Sequence, residues 1–238
     1  IEMSGVLLAL IASIFLSYKS LIDHVEDVLA HSEKDDLNEA RDALSKIVGR
    51  DTRKLSHIEI SRASIETLSE NFSDGFVAPL FWLIIGGLPG IVTYKMINTA
   101  DSMIGNKSIR FVDFGWASAR IDDVANFIPA RIATLIFVFA TLFIKAVKTV
   151  NGIKTAFNDS KFHASPNAGW PEAAMAGFLG VRLGGPRDYI NDTVKDNNWL
   201  GTGRDAQVND IRLSLRIVNY SWFIILFLVA GANFYANT

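Results

Sequence analysis

The fold is decided by one apolar stretch with polar residues at both ends, ETLSENFSDGFVAPLFWLIIGGLPGIVTYKMINTAD, residues Glu66–Asp101. Carboxylates and amides flank its apolar part: Glu66, Glu70, Asn71 and Asp74 before it, and Asn98 and Asp101 after it. An apolar segment of about 20 residues is long enough to cross the hydrocarbon core of a bilayer. Polar groups gathered at both ends of such a segment predict a functional site at the membrane edge.

The run GGLPG, residues Gly86–Gly90, interrupts this apolar segment in its middle. Such a break is typical either of a kink in a spanning helix or of the tip of a re-entrant pair of half-helices. A straight span would separate Asp74 from Asp101 by the thickness of the membrane, whereas a hairpin would bring them to one face. If both carboxylates serve one site, Phe76–Ile97 must enter the membrane, turn at the glycines and return to the face that it left.

The composition predicts an all-α, polytopic integral membrane protein with helical cytoplasmic loops. The chain has 238 residues, of which 50% are hydrophobic and 20% charged, and its mean hydropathy is +0.24. It is too apolar for an average soluble domain and too charged for a bundle that lies wholly in lipid. The absence of cysteine excludes disulfides, thiolate chemistry and Cys-ligated metals. The four histidines have no metal-ligand spacing, which argues against a histidine-based site.

Four apolar segments organise the chain, which we interpret as one membrane-embedded domain over residues 1–238: about 4–18, 76–97, 129–148 and 217–236. Lys and Arg are abundant in the polar regions 18–76 and 149–216, which the positive-inside rule places on the cytoplasmic face. Residues 98–128 are predicted to form a polar loop. We therefore expect a multi-pass protein of the cell membrane whose active site faces the cytoplasm.

Local signals place several helix ends. Ser56 and Glu59 have the spacing of a capping box, which predicts a helix that starts at His57. Gly49 is expected to end the preceding amphipathic helix. The run Ser73–Gly75 is a turn signal that is expected to stop the helix that carries Glu70.

Three polar runs are suited to binding phosphate and a divalent cation. Carboxylates at a membrane interface repel each other unless a proton or a cation joins them, so the acidic residues near the apolar segment suggest Mg²⁺ and hence phosphates. The group Arg120–Asp123 combines two possible metal ligands with a guanidinium that can bind an anion, and a local ion pair is its alternative interpretation. The glycine-rich run Gly180–Arg187 carries two arginines and could hold an anion, although it lacks the ending of a P-loop. Asn167 and Glu172 are either site residues or caps of a helix that starts near Pro171.

The chain resembles the CobD/CbiB family of cobalamin-biosynthesis membrane proteins, the adenosylcobinamide-phosphate synthases. The resemblance lies in five blocks in the family's order: ARDALSKIVGRDT (Ala40–Thr52), ISRASIETLSENFSDGFVAPLFW (Ile60–Trp82), GGLPGIVTYKMINTADSMIG (Gly86–Gly105), FGWASARIDDVANFIPAR (Phe114–Arg131) and SPNAGWPEAAMAGFLGVRLGGP (Ser165–Pro186). It implies an ATP-dependent amide ligase that joins adenosylcobyric acid to (R)-1-amino-2-propanol O-phosphate, or to ethanolamine phosphate, through an acyl phosphate. The implied cofactors are ATP and Mg²⁺, with the corrinoid as substrate. The implied partners are these substrates, the lipid bilayer and other membrane enzymes of cobamide assembly, but no nucleic acid.

The resemblance also implies roles for individual residues. The expected Mg²⁺ ligands, which are also catalytic candidates, are Glu70, Asp74 and Asp101, with Asp122 and Asp123 as further catalytic candidates. The expected anion-binding residues are Arg120, Arg131, Arg182 and Arg187. The other substrate-binding candidates are Asn71, Asn98, Asn167 and Glu172, and Trp116 and Trp170 are expected to pack on the corrin or to anchor at the interface.

Two other functions remain as alternatives. A Mg²⁺-dependent membrane transferase of a phosphorylated or prenyl substrate would also use interfacial aspartates, but the aspartate spacing of those enzymes is missing. A membrane transporter would place charged residues inside its spans, whereas here the charges lie at the edges of the apolar segments.

Overall fold

A computed structural model describes residues 12–105, 112–186 and 198–236. These residues form eight longer helices and three short strands: α1 Tyr18–Glu33, α2 Leu37–Ser45, α3 His57–Phe72, α4 Ala78–Ala100, α5 Val112–Thr141, α6 Thr149–Asp159, α7 Gly169–Leu179, β1 Val181–Gly184, β2 Trp199–Leu200, β3 Arg204–Asp205 and α8 Val208–Ala236. Two π-helical turns follow α3 and α4, at Ser73–Val77 and Asp101–Gly105, and a 3₁₀ turn follows α6 at Ser160–Phe162. The predominance of helices confirms the all-α part of the predicted class. The strands form a small sheet in the order β2-β1-β3, with β1 antiparallel to β2 and parallel to β3, which was not predicted.

Within the described residues, three helical stretches are long and apolar enough to cross a membrane: His57–Ile104, Gly115–Thr141 and Val208–Ala232. Their bounds correct two of the predicted segments. Helix α5 starts at Val112, inside the predicted polar loop 98–128, and ends at Thr141 rather than near residue 148. It continues through Pro129 because a proline need not end a helix when neighbouring groups satisfy the freed carbonyl. Most of the predicted segment 4–18 lies outside the described residues.

The capping box at the start of α3 is confirmed, whereas two predicted helix ends are wrong. The backbone N–H of Ser56 donates to Glu59 Oε2 over 2.8 Å, and Ser56 Oγ accepts from the backbone N–H of Glu59. Helix α2 ends at Ser45, before Gly49. The chain also does not stop at Ser73–Gly75 but continues into α4 through a π-helical turn. A π turn changes the pattern of backbone hydrogen bonds, and the carbonyl of Asp74 in this turn accepts a hydrogen bond from the Tyr94 hydroxyl.

The main core joins buried faces of α1, α3, α5, α7 and α8. Phe72 on α3 stacks against Phe137 on α5 with ring centroids 5.0 Å apart. Helices α6 and α7 approach so closely that a Cβ at Gly152 would overlap the ring of Phe178. This packing fixes α3, α5 and α7 relative to one another, and these helices carry most of the candidate site.

Helix α4 is not straight, because the backbone folds back at Gly87. This residue has φ 60° and ψ −151°, a conformation that is essentially restricted to glycine. A Cβ built on Gly90 would lie 2.3 Å from the carbonyl oxygen of Trp82, which shows how closely the two arms of the hairpin pack. The Tyr94 hydroxyl reaches the carbonyl oxygen of Asp74 over 2.8 Å, although 20 residues of straight helix would separate these positions by about 30 Å. A straight helix over residues 76–97 is therefore excluded.

Candidate functional site

A chain of hydrogen bonds joins the second arm of α4, the π turn before α4, and α5. The Tyr94 hydroxyl donates to the carbonyl oxygen of Asp74 and also lies 2.9 Å from Asn126 Oδ1. The amide of Asn126 donates to Asp122 Oδ2 over 2.9 Å, and the amide of Asn98 lies 3.4 Å from Asp122 Oδ1. Tyr94 and Asn126 were not predicted as site residues. They hold Asp74, Asn98 and Asp122 in one place although these residues are far apart in the sequence.

Four aspartates interact electrostatically around this network. The carboxylate of Asp74 interacts with those of Glu70 and Asp122, and the carboxylate of Asp122 interacts with those of Asp101 and Asp123. One oxygen of Asp74, Oδ1, is buried and has no hydrogen-bond partner. Buried carboxylates in each other's field cannot all stay ionised unless a cation compensates them or a proton is shared. We call Glu70, Asp74, Asp101, Asp122 and Asp123 the acidic cluster.

The acidic cluster fits a Mg²⁺ ion that also binds substrate, but it does not form a complete metal site. Within the described ranges, no group of three or more His, Asp or Glu side chains is close enough to hold a metal ion. The expected set of Glu70, Asp74 and Asp101 is therefore not assembled in this structure. Mg²⁺ usually takes only one or two protein carboxylates and completes its shell with water and substrate phosphates. The unpartnered oxygen of Asp74, next to Asp122, suits this mode of binding.

Arg131 lies beside the acidic cluster and carries a charge that no carboxylate of the described chain neutralises. Its guanidinium packs against the rings of Phe127 and Trp170, with centroids 3.8 Å and 5.0 Å away. It donates to Asn167 Oδ1 over 2.9 Å, and the amide of Asn167 donates to the carbonyl oxygen of Asp123 over 2.8 Å. The predicted anion-binding arginine and amide are thus brought together, and the stacking orients the guanidinium.

The alternative role of Asn167 as a helix cap is wrong. Helix α7 begins at Gly169, its N-cap is Ala168, and no side chain caps it. Instead, Ser165 Oγ accepts hydrogen bonds from the backbone N–H groups of Asn167 and Ala168. This local turn leaves the amide of Asn167 free to bridge Arg131 and α5.

Arg120 and Trp116 stand on the exposed side of α5. Arg120 lies 3.6 Å from the Asp123 carboxylate and 6.0 Å from the ring centroid of Trp116, so the local ion pair that was its alternative is present. A cavity of about 470 Å³ opens between Arg120 and Pro166, and its apolar lining includes Val124, Phe127 and Ile128. Asp123, which also lines it, belongs to the acidic cluster.

Glu172 is buried on α7 and interacts electrostatically with Asp74. Its Oε1 lies 3.4 Å from Nε2 of His163. The sequence did not identify His163 as a site residue, because the four histidines have no metal-ligand spacing. The only signal for His163 was its place two residues before the turn at Ser165, whose backbone N–H donates to His163 Nδ1. Asn71 is exposed and donates back to Thr67 of its own helix.

Arg182 belongs to a different cluster, around the small sheet. Its Nε donates to Asp205 Oδ1 over 2.7 Å, and its guanidinium lies 4.4 Å from the ring centroid of Trp199. The hydrogen bond from Arg182 holds the pKa of the Asp205 carboxyl below its usual value. The charge of Arg182 is therefore already neutralised, which does not favour the predicted anion-binding role. The other arginine of this run, Arg187, lies outside the described residues.

Glu66, which opens the decisive stretch of sequence, connects α3 to both the sheet and an upstream loop. Its buried carboxylate accepts from the backbone N–H of Gly184 over 2.6 Å and from Arg50 Nη2 over 3.0 Å. Replacing it by Ala should destabilise the protein by about 3–5 kcal/mol, since the Arg50 guanidinium, whose side chain is only 11% exposed, would lose its carboxylate. Unfolding in detergent measures this change. The matched control Asp42→Ala removes an exposed carboxylate and should change stability by at most about 0.5 kcal/mol; equal effects of the two changes would refute the structural role of Glu66.

The fold defines a helical protein with apolar helices long enough to cross a membrane, and it brings a cluster of carboxylates close to an arginine. The family model described as "CobD/Cbib protein" matches residues 1–218. The chain belongs to this CobD/CbiB family. It is 46% identical to the cobalamin biosynthesis protein CobD of Rhizobium meliloti (strain 1021) over 92% of this chain and 68% of that protein. It is 48% identical to CobD of Rhodobacter capsulatus over 90% of this chain and 67% of that protein.

A further relative, CobD of Sinorhizobium fredii, is 46% identical over 89% of this chain and 66% of that protein. The chain thus spans about two thirds of the length of these curated relatives. No solved structure is significantly similar to it. Membership of the family assigns the chain to cobalamin biosynthesis.

Proposed function

We propose that this chain carries the active site of an ATP-dependent amide ligase that makes adenosylcobinamide phosphate from adenosylcobyric acid and (R)-1-amino-2-propanol O-phosphate, or its ethanolamine analogue. The observation that carries the proposal is the convergence of Asp74, Asp101 and Asp122 from three separate segments. An acidic site beside an unneutralised arginine suits a reaction in which ATP and a phosphorylated amine meet a carboxylate. The family's place in cobalamin biosynthesis supports this choice of substrates.

The proposed reaction has two steps. A corrinoid carboxylate oxygen attacks the γ-phosphorus of ATP, the bond to the β-phosphate oxygen breaks, and ADP leaves. The neutral amine then attacks the carbonyl carbon of the acyl phosphate, phosphate leaves, and the amine nitrogen loses a proton. Since the reactants are anions, catalysis depends mainly on positioning and on neutralising charge.

The residues of the site have distinct parts in this proposal. Mg²⁺, when bound with ATP, would neutralise phosphate charge, and Asp74 and Asp122 would hold it. Arg131, fixed by its two aromatic neighbours and by Asn167, binds a phosphate group of ATP or of the amino alcohol. The cavity between Arg120 and Pro166 offers apolar side chains against which a corrin ring can pack, and its charged lining residues Arg120 and Asp123 can bind the corrin amides.

The proposed membrane arrangement follows from the hairpin of α4. Its two arms have 9 and 13 residues on either side of Gly87, so that they span about 14 Å and 20 Å, each less than the hydrocarbon thickness. Apolar side chains near the turn are exposed, with Ile84 70% and Ile85 62% accessible. We place the tip in the membrane and the acidic cluster at the cytoplasmic face from which both arms start.

Incubation with substrates tests the proposal. The purified full-length protein is given ATP, Mg²⁺, adenosylcobyric acid and aminopropanol phosphate, and mass spectrometry follows the corrinoid. We expect one amide bond to form for each ADP released. Without the amine, ADP release should stop after a single turnover. ATP hydrolysis that is unaffected by the corrinoid, or no amidation by folded protein, would overturn the proposal.

A further inference from the structure

A second cavity lies on a different part of the chain from the acidic cluster, between the end of α5 and the middle of α8. It has a volume of about 620 Å³, within the range of ligand-binding cavities. Two cations line it, Lys145 in the turn after α5 and Arg216 on α8, and the lining contains no acidic residue. Both cations are exposed, and neither has an ion pair or side-chain hydrogen bond within the described part of the chain. The cavity therefore has a net positive charge that nothing in the described chain neutralises.

Aromatic rings complete the cavity. Phe143 and Tyr220 stack across it, with ring centroids 6.3 Å apart and planes at 9°. Phe143 is 66% exposed and Phe223 is 60% exposed. An exposed stacked pair next to two free cations is unusual for water-facing surface, but it is typical of the boundary between lipid and water, where aromatic rings and basic residues concentrate.

One face of α8 leads from this cavity into apolar surface. Arg216, Tyr220, Phe223 and Phe227 follow at spacings of four, three and four residues, so they lie along one face of the helix. The series changes from a cation to an amphipathic ring and then to exposed phenylalanines, and Phe227 is 79% exposed. A ligand bound here would meet positive charge at one end and a continuous apolar track at the other.

We propose that this cavity binds the headgroup of an anionic phospholipid, with the phosphate between Lys145 and Arg216 and an acyl chain along Phe223 and Phe227. The apolar track favours a phospholipid over a free phosphate, which would gain nothing from the phenylalanines. Simple snorkelling of the cations to the interface would require neither a cavity nor a stacked pair beside them. The site is separate from the proposed ligase chemistry, since its binding needs neither ATP nor corrinoid.

Native mass spectrometry of the full-length protein in detergent tests the proposal with three probes: dioleoylphosphatidylglycerol, dioleoylphosphatidylcholine and glycerol 3-phosphate. We expect phosphatidylglycerol to bind at least 10-fold more tightly than either of the other two. The double change Lys145→Gln with Arg216→Gln should weaken this binding by roughly 10- to 30-fold, as two basic residues near a lipid surface contribute. The matched pair Lys154→Gln with Lys161→Gln removes the same charge outside the cavity and should leave binding unchanged.

Two more variants separate the possible outcomes. The exchange Lys145→Arg with Arg216→Lys keeps the charge and should keep binding, which shows that any loss in the glutamine variant is electrostatic. Phe223→Ser with Phe227→Ser should weaken the lipid but not glycerol 3-phosphate. Equal binding of the two phospholipids, or retention of phosphatidylglycerol by the folded glutamine variant, would overturn the site. Tight binding of glycerol 3-phosphate that ignores the phenylalanines would overturn the lipid as its source.

Discussion

Replacing Asp74 by Asn should lower kcat for amide formation by about 10²–10³-fold, the loss that follows removal of one group that stabilises charge in a closed site. Asp74 contributes the buried oxygen that has no protein partner, and it faces Glu70 and Asp122. Asn keeps the shape of the side chain but removes its charge. The backbone carbonyl that accepts from Tyr94 is unaffected, so the hairpin should remain closed.

Steady-state kinetics with ATP, Mg²⁺, adenosylcobyric acid and the amino-alcohol phosphate measure this effect. A Mg²⁺ titration tests whether the loss of activity arises from weaker Mg²⁺ binding. If Asp74 holds the ion, the variant should need at least 10-fold more Mg²⁺ for half-maximal activity. Asp101→Asn is the matched comparison within the cluster, because Asp101 is half-exposed and interacts with Asp123 rather than with Asp74. We expect a smaller loss for Asp101, of about 10-fold to 100-fold. Full activity of the Asp74 variant would remove this residue from the site, and an unchanged unfolding transition in detergent would show that its fold is intact.

The sequence was sufficient for the parts of the fold that local chemistry determines. The capping box placed the start of α3 correctly because both of its hydrogen bonds form within four residues. The predicted end of α3 was wrong because Ser73–Gly75 resembles a turn by itself, whereas distant groups stabilise the π-helical path: the Tyr94 hydroxyl donates to the carbonyl oxygen of Asp74, and the backbone N–H of Ser17 donates to that of Gly75. The start of helix α5 was predicted too far along the sequence. Its first half is polar and therefore resembles a loop, and only the tertiary structure shows that its carboxylates face a partner helix.

The candidate site shows the same limit. Asp74, Asp101 and Asp122 were identified because acidic residues beside an apolar segment are unusual, whatever their neighbours. Tyr94 was missed because a tyrosine inside an apolar segment reads as a core or interfacial residue, and its contact with Asp74 exists only after the chain has folded back. Arg182 was predicted to bind an anion because it lies in a glycine-rich run. Its charge is neutralised by Asp205, which lies on a strand 23 residues further along the chain. Pairings of this kind are tertiary and leave no local pattern.

The glycines at the turn of α4 give the second prediction with a large effect. Gly90→Ala should open the hairpin, because its Cβ would lie 2.3 Å from the backbone carbonyl oxygen of Trp82, which cannot move aside as a flexible side chain would. We expect a destabilisation of about 3 kcal/mol, the upper part of the range for overpacking. Amide formation should also be lost, because opening the arms withdraws Tyr94 and Asn98 from Asp74 and Asp122.

The neighbouring glycines supply matched controls. Gly86→Ala adds the same methyl group where nothing lies within 4 Å, and should leave stability and activity nearly unchanged. Gly87→Ala meets little steric hindrance, but it forces a residue with a Cβ to adopt φ 60° and ψ −151°, which should cost about 1–3 kcal/mol. We therefore expect the Gly86 variant to be the most stable of the three. The Gly87 variant should be less stable, and the Gly90 variant should be no more stable than the Gly87 variant.

Cross-linking measures the closure of the hairpin directly. The chain has no native cysteine, so a pair introduced at Ala78 and Ile97, which pack in one apolar cluster with Tyr94, can be cross-linked as a disulfide by a small oxidant without competing pairs; a bismaleimide would not reach the buried position 78. Cross-linking should be efficient in the parent and in the Gly86 variant, and should fall sharply in the Gly90 variant. If the Gly90 variant cross-links and catalyses as the parent does, the close contact at Trp82 does not hold the arms together. If it cross-links normally but is inactive, the hairpin is closed without positioning the acidic cluster, and the link between this turn and catalysis fails.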